Sequence, residues 1–184
     1  MNRSSNPMPG NDRSGAQPTP MPWPCLTAQR TLILPVPRGE WALPPGACVI
    51  DGVVFLPRLT LHITLAGRDA IAAVEDTHGK AGAEAVLRDA YAACGWHYRR
   101  TRHFLRLRKP QPPEPDAGSI IELLDMPGLG DFYRVLAARG TALPVPPAHV
   151  TLWTHARPQG IGVADEATLA GLCVREVAAH ELGL

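Results

Sequence analysis

Read for the spacing of its apolar residues, the chain is mostly period-two alternation broken by stretches of helical period. Residues 28–36 predict a first strand, stopped by Pro35 and Pro37, which have no N–H to give to a ladder. Residues 48–56 are apolar and β-branched, and the Asp51-Gly52 dipeptide among them predicts a hairpin of two short strands. Another strand is expected over 59–65, ended by Gly67. Ile71 and Val74 then lie three apart, and Ala83, Val86, Leu87, Ala90, Tyr91 and Cys94 recur at helical spacing, which predicts one short and one longer helix closed at Gly95. From His103 the chain alternates again, with Leu105 and Leu107 on one face and Phe104, Arg106 and Arg108 on the other. The proline-rich stretch 110–118 is expected to be a loop joining two halves, and 119–124 a strand. Leu129, Phe132, Tyr133 and Leu136 share a helical face that Gly140 closes, and a last helix over 165–172, capped by Asp165, precedes a strand near 173–177. Each half then runs strand, helix, strand.

Two of the predicted strands carry one phrase. Leu61-His62-Ile63-Thr64-Leu65 returns 87 positions later as Ala148-His149-Val150-Thr151-Leu152, and both copies follow a Leu-Pro pair, Leu56-Pro57 and Leu143-Pro144. Successive side chains leave a strand on opposite faces, so each His shares a face with its Thr, about 6.6 Å away, and the apolar residues take the other. With 7 His in 184 residues, roughly 0.4 His-x-Thr matches arise by chance, so one copy carries little weight and two with matching flanks carry far more. An outer-face His is often merely solvated, and a buried one often just satisfies a carbonyl. Neither reading explains the repetition.

Two imidazoles suit a phosphate diester. A neutral one takes a proton from the attacking water and a protonated one gives a proton to the leaving oxygen, both near neutral pH, while Thr hydroxyls donate to the non-bridging oxygens. Metal binding is the weaker reading: zinc wants three or four ligands, neither phrase adds one at i+2, and only His155, six positions beyond His149, shares its parity.

Composition narrows the setting. A chain of 184 residues with 45% hydrophobic and 19% charged residues supports one domain of two similar halves, and its Ser-, Asn-, Gly- and Pro-rich start predicts a disordered tail over 1–26 before a domain over 27–184. A net charge of +1 argues against coating nucleic acid by charge alone. Cys25, Cys48, Cys94 and Cys173 form no Cys-x-x-Cys pair, and no basic, apolar leader or membrane-length apolar run is present, so a cytoplasmic protein without membrane contact is expected. Arg99, Arg100, Arg102, Arg106, Arg108 and Lys109 supply six of the 18 Lys and Arg; they read as a charged outer sheet face, or as phosphate contacts with Trp96, Tyr98 and Phe104 as stacking surfaces. The Gly160-Ile161-Gly162 loop is short for a phosphate cradle but suits a close backbone approach to a ligand.

In its two phrases, His62-Ile63-Thr64-Leu65 and His149-Val150-Thr151-Leu152, the chain resembles the two-histidine (2H) phosphoesterase superfamily, known for paired His-x-Thr/Ser-hydrophobic motifs. The resemblance covers roughly residues 29–177 and implies an α+β, bilobal fold: two pseudo-symmetric lobes, each with an antiparallel sheet and outer helices, around a cleft lined by both motifs. It implies a metal-independent phosphodiesterase, without cofactor, acting on 2′,3′-cyclic phosphates of RNA ends or nucleotides, as members do, some acting on 2′-5′ linkages. The expected partner is an RNA terminus or a small cyclic nucleotide, and a monomer is expected. By carry-over His62 and His149 are catalytic and Thr64 and Thr151 hold phosphate. Arg102, Arg106, Tyr133 and Trp153 are further substrate-binding candidates that the resemblance maps to no defined role. The alternative is a non-catalytic module that binds an RNA end or nucleotide phosphate in the same cleft.

Overall fold

Alternating apolar residues build eight strands, and the sheet they form is the wall on which the two phrases sit. The structure, a computed structural model, describes residues 22–184. Up to residue 21 the expected tail lies outside the described residues; from there Trp23 already packs edge-on against Tyr91, ring centroids 5.3 Å apart, and Leu26 bridges to Leu32. The strands are β1 (Leu32–Val36), β2 (Cys48–Ile50), β3 (Val53–Pro57), β4 (Leu61–Ala66), β5 (Arg99–Gln111), β6 (Glu114–Asp125), β7 (His149–His155) and β8 (Cys173–Val177). They pair antiparallel in the order β1-β4-β7-β6-β5-β8, with β3 joined to β2 and to β7. The helices are α1 (Arg68–Ala92), α2 (Pro127–Ala138) and α3 (Glu166–Leu172), so the chain is α+β.

One face of the sheet carries the main core. Ile63, Leu65, Val150, Leu152, Trp153, Ile120 and Phe104 join Ile71, Val74 and Leu87 of α1 and Phe132 and Leu136 of α2 there. Full burial of a Val or Ile side chain contributes about 1.5–3 kcal/mol, which makes the apolar half of each repeated phrase a fold determinant as well. On the other face a smaller cluster, Leu105, Leu107 and Ile121 under Ile161, Val163 and Leu169, covers the β5–β6 end. The His and Thr side of β4 has no such cover, and His62 and Thr64 are partly exposed.

Gly79, at φ 70° and ψ 158°, is not helical and divides α1 into the short and the longer helix that the spacing predicts. Two expectations change. The proline-rich 110–118 stretch is no connecting loop: β5 and β6 run through it as a long hairpin, with Gln111 paired to Glu114. Pro110 is accommodated because the register shifts between Lys109 and Gln111, where no ladder N–H is required of it. The second change is in β7, where Thr151 pairs with Ile121 but Trp153 with Ile120, leaving Leu152 as an extra residue. Leu152 and Trp153 therefore both face the main core, and the alternation beyond them is inverted.

The junction of α1 and α2 is close-packed. A Cβ on Gly128 would lie 2.0 Å from the Gly95 carbonyl oxygen, whereas one on Gly130, in the same helix, would meet nothing within 4 Å. Gly128→Ala is expected to lower stability by about 1–3 kcal/mol, and Gly130→Ala to raise it by about 0.5–1 kcal/mol, in urea melts of the two variants.

Candidate active site

The two phrases meet side by side. Ile63 of β4 pairs antiparallel with Val150 of β7, and both are fully buried. Continuing that register one residue either way sets His62 opposite Thr151 and Thr64 opposite His149, all on the face away from the main core. The two histidines are then diagonal neighbours, about 7–8 Å apart at the backbone, within reach of one phosphate group. Two rows cross the sheet at this point. Pro35 flanks His62 and Ile33 flanks Thr64 on β1, while Ile121 flanks Thr151 and Leu123 flanks His149 on β6. A polar quartet thus sits between apolar neighbours, where electrostatic interactions gain strength.

His149 is nearly buried, and its Nδ1 lies 2.8 Å from the Pro147 carbonyl oxygen. That oxygen only accepts, so Nδ1 carries the hydrogen and Nε2 keeps its lone pair. Burial pushes the His149 pKa below the ordinary 6.5, opposed in part by the bond to Pro147. His62 is lowered as well, first by burial, then by the positive charge of Arg58 and the neighbouring His149. Both rings are therefore neutral bases at pH 7 in the unliganded protein.

The loop after β7 closes on the quartet. Gly160, at φ +79°, packs so tightly that a Cβ there would lie 3.1 Å from Thr151 Cγ2 and 3.2 Å from Ser119 Oγ. Ser119 is buried, and its hydroxyl accepts the Ile161 N–H at 3.0 Å. The 160–162 loop, expected to approach a ligand, packs here against Thr151.

The remaining substrate-binding candidates are not brought to this face. Trp153 is fully buried in the main core, sent there by the extra residue at Leu152. Tyr133 is buried on α2, which raises its phenol pKa. Arg106 pairs with Asp51 at 2.5 Å on the reverse face, beside a groove of about 300 Å³ lined also by Phe55, Arg108, Asp116 and His155. Arg102 is exposed in a two-residue bulge of β5, its N–H bonded to Glu122. His155 is carried across by the same inversion as Trp153 and donates Nδ1–H to the Val54 carbonyl, so it leaves the His149 face. Among the described residues no group of three or more His, Cys, Asp or Glu is placed to hold a metal ion. Neither this groove nor another of about 410 Å³ past Pro35, Trp96 and Tyr98 includes any of the four motif residues.

Sequence reasoning passed over Arg58. Its N–H donates to the Leu152 carbonyl of β7 at 2.8 Å, and its guanidinium bonds the carbonyls of Thr60 and Pro158. The only signal in the sequence was its place four residues before His62. Comparison with protein-family models, curated proteins and solved structures finds no match to this chain. No described helix is long and apolar enough to cross a membrane.

Because both histidines bind protons less well folded than unfolded, the unfolded state holds more protons just below pH 6.5, and stability falls with falling pH there. Urea midpoints are expected to drop between pH 7.5 and 5.5, and His149→Gln is expected to flatten that slope; an unchanged slope would refute the buried neutral imidazole.

Proposed function

We propose that the protein is a metal-independent phosphodiesterase that opens 2′,3′-cyclic phosphates, at RNA ends or in small nucleotides, with His62 and His149 as a general acid and base pair. The observation that carries this reading is the Ile63–Val150 pairing, whose register sets two histidines and two threonines on one face, the histidines about 7–8 Å apart at the backbone. One neutral ring removes a proton from the attacking water as its oxygen bonds phosphorus. The other, protonated, delivers its proton to the ribose oxygen as the phosphorus–oxygen bond breaks, leaving a phosphomonoester. Thr64 and Thr151 donate to the non-bridging oxygens, where charge accumulates.

Two neutral rings in the free protein require that one be protonated on the way to reaction. An approaching phosphate anion favours that protonation, since opposite charge stabilises the imidazolium. The two-lobed arrangement, with the phosphate held between the lobes, belongs to the same reading. The protein would act as a cytoplasmic monomer on an RNA terminus or a cyclic nucleotide.

The test is turnover of 2′,3′-cyclic nucleotides and of RNA bearing that end, in EDTA. His62→Ala and His149→Ala are each expected to reduce kcat by about 10²–10⁴-fold, and full activity in either would end the two-histidine mechanism. The pH profile of kcat/KM is expected to be bell-shaped with its maximum below pH 6.5, because it reports the free protein's two lowered pKa values. The non-catalytic alternative, a module that holds an RNA end or nucleotide phosphate, is supported instead by phosphate binding with no product from any cyclic, 2′-5′ or 3′-5′ substrate.

A further inference from the structure

The sheet leaves a gap on one edge of β7, and a cation occupies it. β3 pairs with that edge opposite Trp153 and Thr154, β4 pairs with it opposite Val150, and residues 58–60 span the interval. Arg58 is held there by its own N–H on the Leu152 carbonyl, so it stands beside the second phrase while lying four residues before the first. We infer that Arg58 is a third anion-binding group of this site, acting with the two His-Thr pairs to hold a phosphate. The inference rests on the reading above only in taking phosphate as the anion.

The side chain's surroundings point the same way. The guanidinium is half-buried and is bracketed by carbonyls, with Nε 3.4 Å from the Thr60 oxygen and one Nη on that of Pro158. Among the described residues no carboxylate lies within ion-pair distance of it. Other arginines drawn into the fold do have one: Arg100 meets Glu122 at 2.8 Å, Arg106 meets Asp51, and Arg175 meets both Asp51 and Glu181. A partly desolvated guanidinium without a counter-ion is costly, and a bound anion supplies the missing charge.

Arg58 also has donors to offer. Its second Nη has no hydrogen-bond partner among the described residues, and a planar guanidinium presents paired N–H groups that match phosphate oxygens. Its charge adds to burial in lowering the basicity of His62. With both imidazoles neutral, Arg58 is the fixed positive charge of the site. The bond to Pro158 further ties it to the loop whose Gly160 packs on Thr151, so one side chain links the first phrase, the second phrase and the loop.

The experiment is titration of the full chain with inorganic phosphate at pH 8 by calorimetry. Arg58→Met is expected to weaken binding roughly tenfold to a hundredfold, with Arg58→Lys in between because it keeps the charge and loses the fork. In turnover assays the loss in Arg58→Met is expected mainly in KM. Unchanged phosphate affinity in Arg58→Met, or no phosphate binding by the wild-type chain, overturns the inference. If Arg58→Met does not fold, nitrogen-detected NMR of the wild type decides: saturating phosphate must shift the Arg58 Nε resonance together with those of the His62 ring, and an unmoved Nε overturns it. Phosphate binding that depends on Arg58 without turnover would sustain this inference and sink the enzyme, whereas turnover with Arg58 dispensable would do the reverse.

Discussion

The arrangement depends on one contact between strands, the pairing of Ile63 with Val150. Both side chains are fully buried under α1 and α2, and the hydrophobic gain from that burial fixes which way each strand faces. A slip of one residue in either strand would turn Ile63 or Val150 to the open face and bring a His and a Thr into the core. The apolar residues of each phrase thus enforce the position of the polar ones, and the chemistry takes its geometry from packing on the far side of the sheet.

That far side has its own polar economy. Glu122 is fully buried and accepts from the Arg100 guanidinium, the Trp41 indole at 2.6 Å and the Arg102 N–H. Asp51, in the β2–β3 turn, joins Arg106 to Arg175, which also meets Glu181 near the chain's end. Two of the arginines on the basic strand, Arg100 and Arg106, are occupied in this way with holding the fold, and the sheet itself separates Arg106 from the motif face. The composition of 96–109 reads as a nucleic-acid surface or as a charged outer face, and at Arg100 and Arg106 the structure uses it as internal bracing.

What was legible in the sequence was whatever local chemistry encodes. The Asp51-Gly52 turn, the Asp165 cap, whose carboxylate accepts the Thr168 N–H at 2.6 Å, and the alternation in β4 and β5 each depend on a few adjacent residues. Non-local pairing decided the rest. The extra residue at Leu152 exists only relative to β6, so parity counted along the chain misplaced His155. Prolines at 110 and 115 looked like a loop because the register shift that excuses Pro110 belongs to the β5–β6 pair. Arg58 carried no motif; its setting arises from β3 and β4 sharing one edge of β7. For the repeated phrase, the sequence offered two faces of the right composition, and only the antiparallel register made them one.

The bulge at Leu152 has a consequence for how this chain tolerates change in length. Before it, β7 follows the alternation set by His149; after it, the strand follows a second alternation, in which Trp153 fills the core and Thr154 faces Leu56 and Ser119 across the neighbouring strands. The one extra residue works as a phase joint between the segment that carries the repeated phrase and a structural one. Loss of any single residue from 150 to 153 would re-phase one segment against the other, so this strand can drift in side chains far more easily than in length.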